Sequence, residues 1–326
     1  MKKYIYYCFA IFLIFQGASL KAENTFWISN VPPKDADKKI QPFGMHKISS
    51  VPGNGKRGVF HIIQWIRAGT LPGESEYLTG PPSVNARVHL LSPENKLIDC
   101  EFEKGTIIYN GNLEGFYNLY LTKKYVSGDT LHIISAKAER LSHKCQNGHK
   151  HVLANLQPKD LKSHIPYEVI RNRLPREDFH TFIQSGDKVT FKLNLNGTPV
   201  SGSKVKLITQ TGWAKLAESD KNGEVTFQIP EDYFSTLSEF EKQKIFNFLI
   251  VSEHDITENG EFDGSSYKRV RYTATFSESY IPSKMMYSSA VWAMIVFVFA
   301  LSLAAVAVFY YRERKKVPYR EVTFNE

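Results

Sequence analysis

Cysteine is scarce, three in 326 residues, which excludes a disulfide-dense scaffold and a four-cysteine zinc module. The usual catalytic signatures are missing as well. No G-x-S-x-G, H-E-x-x-H, Walker A or G-x-G-x-x-G pattern occurs, so the nucleophile-elbow, zincin and nucleotide-binding classes lose their marks. Gly53-Asn-Gly-Lys56 lacks the P-loop spacing, and in Asp220-Lys-Asn-Gly223 the downstream glutamate is at the wrong distance for a calcium loop: with Gly223 at the sixth position the twelfth is Ile229. Long helical periodicity is absent between residues 23 and 284. An excess of charge over apolar residues is lacking too: 42% of the chain is hydrophobic and 23% charged, so it can bury a core and is not disordered.

The net charge is +8. Lys2, Lys3 and Lys21 contribute three of these charges. The segment from Arg312 to the end contributes two more, which leaves +3 for everything between. Basicity that brackets hydrophobic segments does not make a nucleic-acid groove.

Those two segments set the expected compartment. Residues 1–22 have the form of a secretory signal: Lys2-Lys3, an apolar run from Ile5 to Phe15, and cleavage expected after Ala22. The alternative is an uncleaved N-terminal anchor. From Met285 to Tyr311 no residue is charged, and Ala290–Phe309 has the length needed to cross a bilayer as a helix. Tyr287, Trp292, Tyr310 and Tyr311 sit where aromatic belts form, and Arg312-Glu-Arg-Lys-Lys316 follows. The positive-inside rule then predicts a single-pass protein of the bacterial inner membrane, with residues 287–311 spanning and 312–326 cytoplasmic. Residues 23–284 would face the periplasm.

Within the exported part, short β-rich runs recur between Gly, Pro, Asn and Asp: Val84–Leu91, Thr106–Tyr109, Gly115–Leu121, Thr130–Ala136, Lys188–Leu195, Lys204–Thr209, Glu224–Ile229 and Asn247–Val251. The spacing predicts a mainly β protein of two Ig-like sandwiches, at 23–180 and 184–280, divided near Pro175–Gly186. Helices are expected at Pro158–Arg173 and Tyr233–Lys244, and an irregular loop at 31–58. Asn196-Gly197 and Asn222-Gly223 read as turns, the second as type I′.

The segments SGDKVTFKLNLNGTPVSGSKVKLI, SDKNGEVTFQIPED and FNFLIVSEHD, over residues 185–255, resemble the C-terminal half of the DUF4198 group. These are exported bacterial proteins related to periplasmic components of nickel and cobalt uptake. Phe26-Trp27-Ile28 is similar to the family's aromatic start. Where family members often carry a metal-binding histidine near the mature N-terminus, this chain has Glu23 and Asn24. The resemblance implies an accessory or binding component of transition-metal uptake, working beside a metal permease or other envelope proteins.

The residues themselves offer one dense ligand cluster. His143, Cys145, His149 and His151 place three imidazoles and a thiol within nine positions, a donor set suited to Ni, Co, Cu or Zn. An ideal hairpin at Asn147-Gly148 would put His149 and His151 on one face and His143 and Cys145 on the other. Convergence therefore needs a wider loop, or a ligand such as His46, His61 or His89. Cys100 and Cys145 are the cysteines left after signal removal, and an oxidising exterior favours a disulfide between them. Three readings stay open: a disulfide with an exposed His/Lys loop, a metal site of His143, His149 and His151, and a reactive thiol. Glu253, His254, Asp255, Glu258 and Asp263 form a second polar group, either a solvated loop or a metal or acid–base site. Trp65, Trp213 and Tyr233 are candidates for a sugar platform or for core packing. No recognisable nucleophile–base pair marks an enzyme. The competing class is a structural or interaction module of the envelope, carrying no ion.

Overall fold

The computed structural model describes residues 25–33, 49–50, 60–82, 86–98, 100–103, 105–142, 165–175, 177, 182–231, 245–316 and 324. The protein is mainly β with one C-terminal apolar helix, as its alternating runs and charge-free span require. Residues up to Ile281 form one compact unit, and Pro282 onward forms a second.

Three sheets make the first unit. One runs β1 (Phe26–Ser29), β3 (Phe60–Ala68), β8 (Thr106–Asn110), β7 (Glu101–Glu103), with β2 (Ser49–Ser50) and β4 (Glu76–Tyr77) also pairing β3. A small sheet contains β11 (Tyr167–Arg171), β13 (Lys188–Leu195), β14 (Thr198–Pro199) and β17 (Glu224–Gln228). The third has nine strands. Its order is β16 (Ala214–Glu218), β15 (Lys204–Thr209), β18 (Phe246–Phe262), β19 (Ser265–Ile281), β10 (Thr130–Ser142), β9 (Gly115–Ser127), β5 (Arg87–Leu91), β6 (Leu97–Ile98), and β12 (Ile183–Gln184) pairs β19.

The large sheet crosses the boundary expected near residues 175–186. β10 pairs β19 in parallel from Thr130↔Arg269 to Ala138↔Ser277. Period-two alternation explains how one sheet serves two cores. On β10, Leu131 and Ile133 enter a core with Tyr167, Phe191, Phe227, Phe248 and Phe276. Ile134, Ala136 and Ala138, on the opposite face, enter another with Phe26, Ile66, Ile107 and Leu119. Trp27 joins the halves directly by packing with Ile208, Leu249 and Val251. Thr275 Oγ1 donates to the Phe26 carbonyl at 2.9 Å, and Ser277 Oγ donates to that of Ile28. These hydroxyls satisfy carbonyls of an outermost strand that would otherwise be open to another chain.

Several expectations need correction. Tyr167–Arg171 is a strand rather than part of a helix, paired with β13 from Tyr167↔Leu195 to Arg171↔Phe191. Its β-branched and aromatic residues are buried on both faces, so tertiary burial outweighs the helical reading. Asn222 does not take a positive φ. Asp220 instead closes the turn: its carboxylate accepts the Asn222 and Glu224 amides at 2.8 Å each, and Gly223 (φ 74°) is left-handed. Asn196 and Gly197 do both have positive φ, at 50° and 79°. Residues 253–255 belong to β18 rather than a loop, because pairing with β19 extends the strand to Phe262. The signal segment, the Tyr233–Lys244 helix and most of the 31–58 loop lie outside the described residues.

In the second unit, α1 (Lys284–Arg314) contains Val291–Arg314, long and apolar enough to cross a membrane. It is apolar all round, and Arg312 and Arg314 close its last turn.

Candidate functional site

The residues proposed for metal binding, His143, His149 and His151, lie outside the described residues, as does Cys145. Cys100 is half-buried and packs against the core around Tyr109 and Leu119. Among the described residues, no three His, Cys, Asp or Glu side chains gather as a metal would require.

Glu253, His254, Asp255 and Glu258 are spread along β18 by its alternation, and Asp263 lies in the turn beyond it. His254 Nδ1 is 3.1 Å from Ser203 Oγ, and its ring tilts against Tyr167. Asp255 makes a bidentate pair with Arg271, both bonds 2.8 Å, which holds its carboxyl below the usual range. Burial moves Glu253 the other way, upward. His132 stacks on Tyr125, and burial lowers its pKa. Trp65 is a core residue, whereas Trp213 is 37% exposed.

Sequence reasoning missed the most concentrated charge in the fold. Lys137 and Glu139 project from β10 on the face that carries Leu131 and Ile133, and Glu278 comes from β19. β11 supplies Glu168 and Arg171, and the segment after it supplies Arg173 and Glu177. Lys137 Nζ lies 2.7 Å from Glu168, which also accepts the Tyr120 hydroxyl at 2.8 Å. Arg171 grips Glu177 with two bonds of 2.7 Å. Arg173 lies 3.0 Å from Glu139 and stacks over Phe116. Among the described residues, Glu139 finds no partner in hydrogen-bonding geometry despite this positive surround. Asn118, its cross-strand neighbour on β9, is 0% exposed, and among the described residues neither atom of its amide has a partner.

Electrostatics divides the carboxyls. Burial would raise Glu177, but the Arg171 bonds and charge, with Arg173, outweigh it and bring the group down to about 2. Glu139 is likewise lowered, as Arg173, Arg171 and Lys137 overcome its burial. For Glu278 burial wins. Attraction to Arg171 is offset by repulsion from Glu139, and its pKa rises to about 7. The crevice between Lys137, Glu168, Tyr120 and Ile165 has no room even for a water molecule, far below the range of small-molecule pockets. The cluster can fasten β11 to the large sheet. It offers no room for a substrate.

The second distinctive feature is the outer half of the β18–β19 hairpin. β15 pairs β18 only as far as Glu253, and β10 pairs β19 only from Arg269. Beyond these points, among the described residues, the two strands pair with each other alone. Asp263 and Gly264, with φ of 52° and 74°, make the tight turn at the tip. Gly260 faces Tyr267 across the ribbon, and the Tyr267 hydroxyl fills the place where a Cβ would stand. Glu258, Glu261, Asp263 and Lys268 are exposed along this arm. Two salt bridges pin its base, Arg271–Asp255 and Arg269–Asp129, the latter at 2.9 Å.

Compared with known proteins, the chain matches no family model and no curated protein.

Proposed function

We propose that this protein is a membrane-tethered interaction module of the bacterial envelope, which presents a rigid β platform to a partner protein. The observation that carries this reading is the β18–β19 arm. A two-stranded ribbon adds little to fold stability on its own, yet this one, which no other described strand pairs beyond its base, is held by a tight turn, an aromatic cover over Gly260 and salt bridges at its base. Ordered strands with exposed polar side chains are suited to recognition. The apolar helix supports anchoring, and Arg312, Arg314, Lys315 and Lys316 after it support a cytoplasmic C-terminus with residues 25–281 outside.

Site-specific photo-crosslinking in intact cells tests this. A photoreactive residue at Glu261 or Lys268 should give a discrete adduct that is absent when it replaces Thr226, an exposed position on β17. No adduct from the arm, or the same adduct from Thr226, would contradict the proposal.

Accessory work in nickel or cobalt uptake is the second reading, supported by the three imidazoles of His143, His149 and His151 and by the resemblance of residues 185–255 to DUF4198 proteins. Neutral imidazoles ligate and protonated ones do not. The full-length protein should then take up Ni(II) or Co(II) near pH 7.5 and release it near pH 5. Replacing His149 and His151 together by Ala should remove most of that uptake. Equal uptake by the double variant would rule these residues out.

A further inference from the structure

We infer that two copies of this chain associate through the edge of β16 that no described strand covers, pairing antiparallel about Leu216. β16 is the outermost strand of the nine-stranded sheet, and its register with β15 is unbroken from Ala214↔Ile208 to Glu218↔Lys204. It contains no proline and no bulge, two of the devices that blunt an edge. No residue of the strand is buried, and Leu216, at 61%, is the most exposed large aliphatic side chain among the described residues before the helix.

The direction of its main-chain groups follows from the bonds at its two ends. Thr209 N donates to the Trp213 carbonyl at 2.8 Å, and Ser219 N donates to that of Ser203 at 3.0 Å. In an antiparallel ladder such pairs recur at every second residue. Residues 213, 215, 217 and 219 therefore bond inward to β15. Ala214, Leu216 and Glu218 direct their N–H and C=O groups outward.

A two-fold axis at Leu216 sets these three outward residues against the same three of a second copy. Leu216 meets Leu216, and Ala214 meets Glu218 on each side. All six outward N–H groups then find carbonyl partners. The side chains agree with this register. The two Leu216 side chains lie together on one face, each Glu218 stands opposite an alanine, and each Lys215 stands opposite Ala217 on the other face. No like charges are directly opposed, and each long side chain faces a small one. Sliding the pairing by two residues in one direction puts Glu218 against Leu216. In the other direction it leaves Glu218 beyond the partner strand. The centred register is the one that uses every outward group. Confinement to a membrane raises the local concentration of copies and favours such an encounter. The inference is independent of the role given to the β18–β19 arm.

Cysteine scanning of the full-length protein in its membrane tests the register. Hydrogen-bonded antiparallel neighbours have Cα atoms about 5.5 Å apart, within disulfide reach. Leu216→Cys should form a reducible homodimer on mild oxidation, well above wild type and above Thr226→Cys. Ala214→Cys should not dimerise alone but should cross-link to Glu218→Cys when the two are co-expressed. Leu216→Pro removes an outward N–H that β15 does not use. It should convert a dimer in mild detergent to a monomer with unchanged protease resistance. Dimer yield from Leu216→Cys no greater than from Thr226→Cys would overturn the inference. So would a dimer that persists in Leu216→Pro, or an adduct only with a different protein.

Discussion

At the scale of single residues, the chemistry concentrates where charge is buried. Arg171 is fully enclosed, and two bonds to Glu177 satisfy much of its guanidinium. Such a pair is weak evidence for stability by itself, because desolvating both charges offsets most of their attraction. Glu278 makes a sharper test. Its pKa is about 7 in the fold against an ordinary 4.5, so between these values the folded state binds more protons than the unfolded one. By linkage this group lowers stability as pH rises from about 4.5 to about 7, by up to about 3 kcal/mol. Glu177 acts in the opposite sense at lower pH: its stabilising contribution is present above about 4.5 and is lost as pH falls toward about 2. Glu278→Gln should therefore become more stable relative to wild type as pH increases from 4.5 to 7, read as a growing gap in denaturant midpoint. A gap independent of pH would show that Glu278 does not hold its proton in the fold. None of this was legible in the sequence. Lys137, Glu139, Arg171 and Glu278 sit in alternating β segments, where charge normally marks the solvent side, and only the sheet register brings them together.

Among elements, the runs with clean alternation were read well. Lys188–Leu195 and Lys204–Thr209 are strands with the expected bounds. Long strands were read short. Asn247–Val251 is the buried beginning of a strand that continues to Phe262, because its outer half alternates little and is held by pairing with β19. β19 itself was passed over. Its inner half is buried on both faces through two cores and mixes Thr, Ser and Glu with aromatics, which obscures period two. Tyr167–Arg171 is too short for its period to separate strand from helix. The β18–β19 arm carries its own prediction. If Tyr267 orders the ribbon by covering Gly260, Tyr267→Ala should speed amide exchange over residues 257–268 at least tenfold while leaving β10 and β15 protected. Exchange unchanged at the tip would mean that the turn alone orders the arm.

For the molecule as a whole, composition and the short β-rich runs point to a mainly β protein, and the charge-free segment to a C-terminal apolar helix; the structure is mainly β with one C-terminal helix long and apolar enough to cross a membrane. Pro175 and the polar stretch after it suggested a boundary, but long-range parallel pairing leaves no local mark. The β10–β19 ladder joins strands more than a hundred residues apart. Residues 25–281 form one compact unit in which two cores share the nine-stranded sheet. The direct test is denaturant unfolding of the full-length protein in detergent, with Trp213→Phe and Trp292→Phe leaving Trp27 and Trp65 as reporters. Phe191 is wholly buried in the core of the later strands, and Phe191→Ala should cost about 3–5 kcal/mol. The account predicts that this substitution moves the Trp27 and Trp65 transition to lower denaturant, in step with loss of β structure. A Trp transition that stays in place while the later strands unfold separately would contradict it.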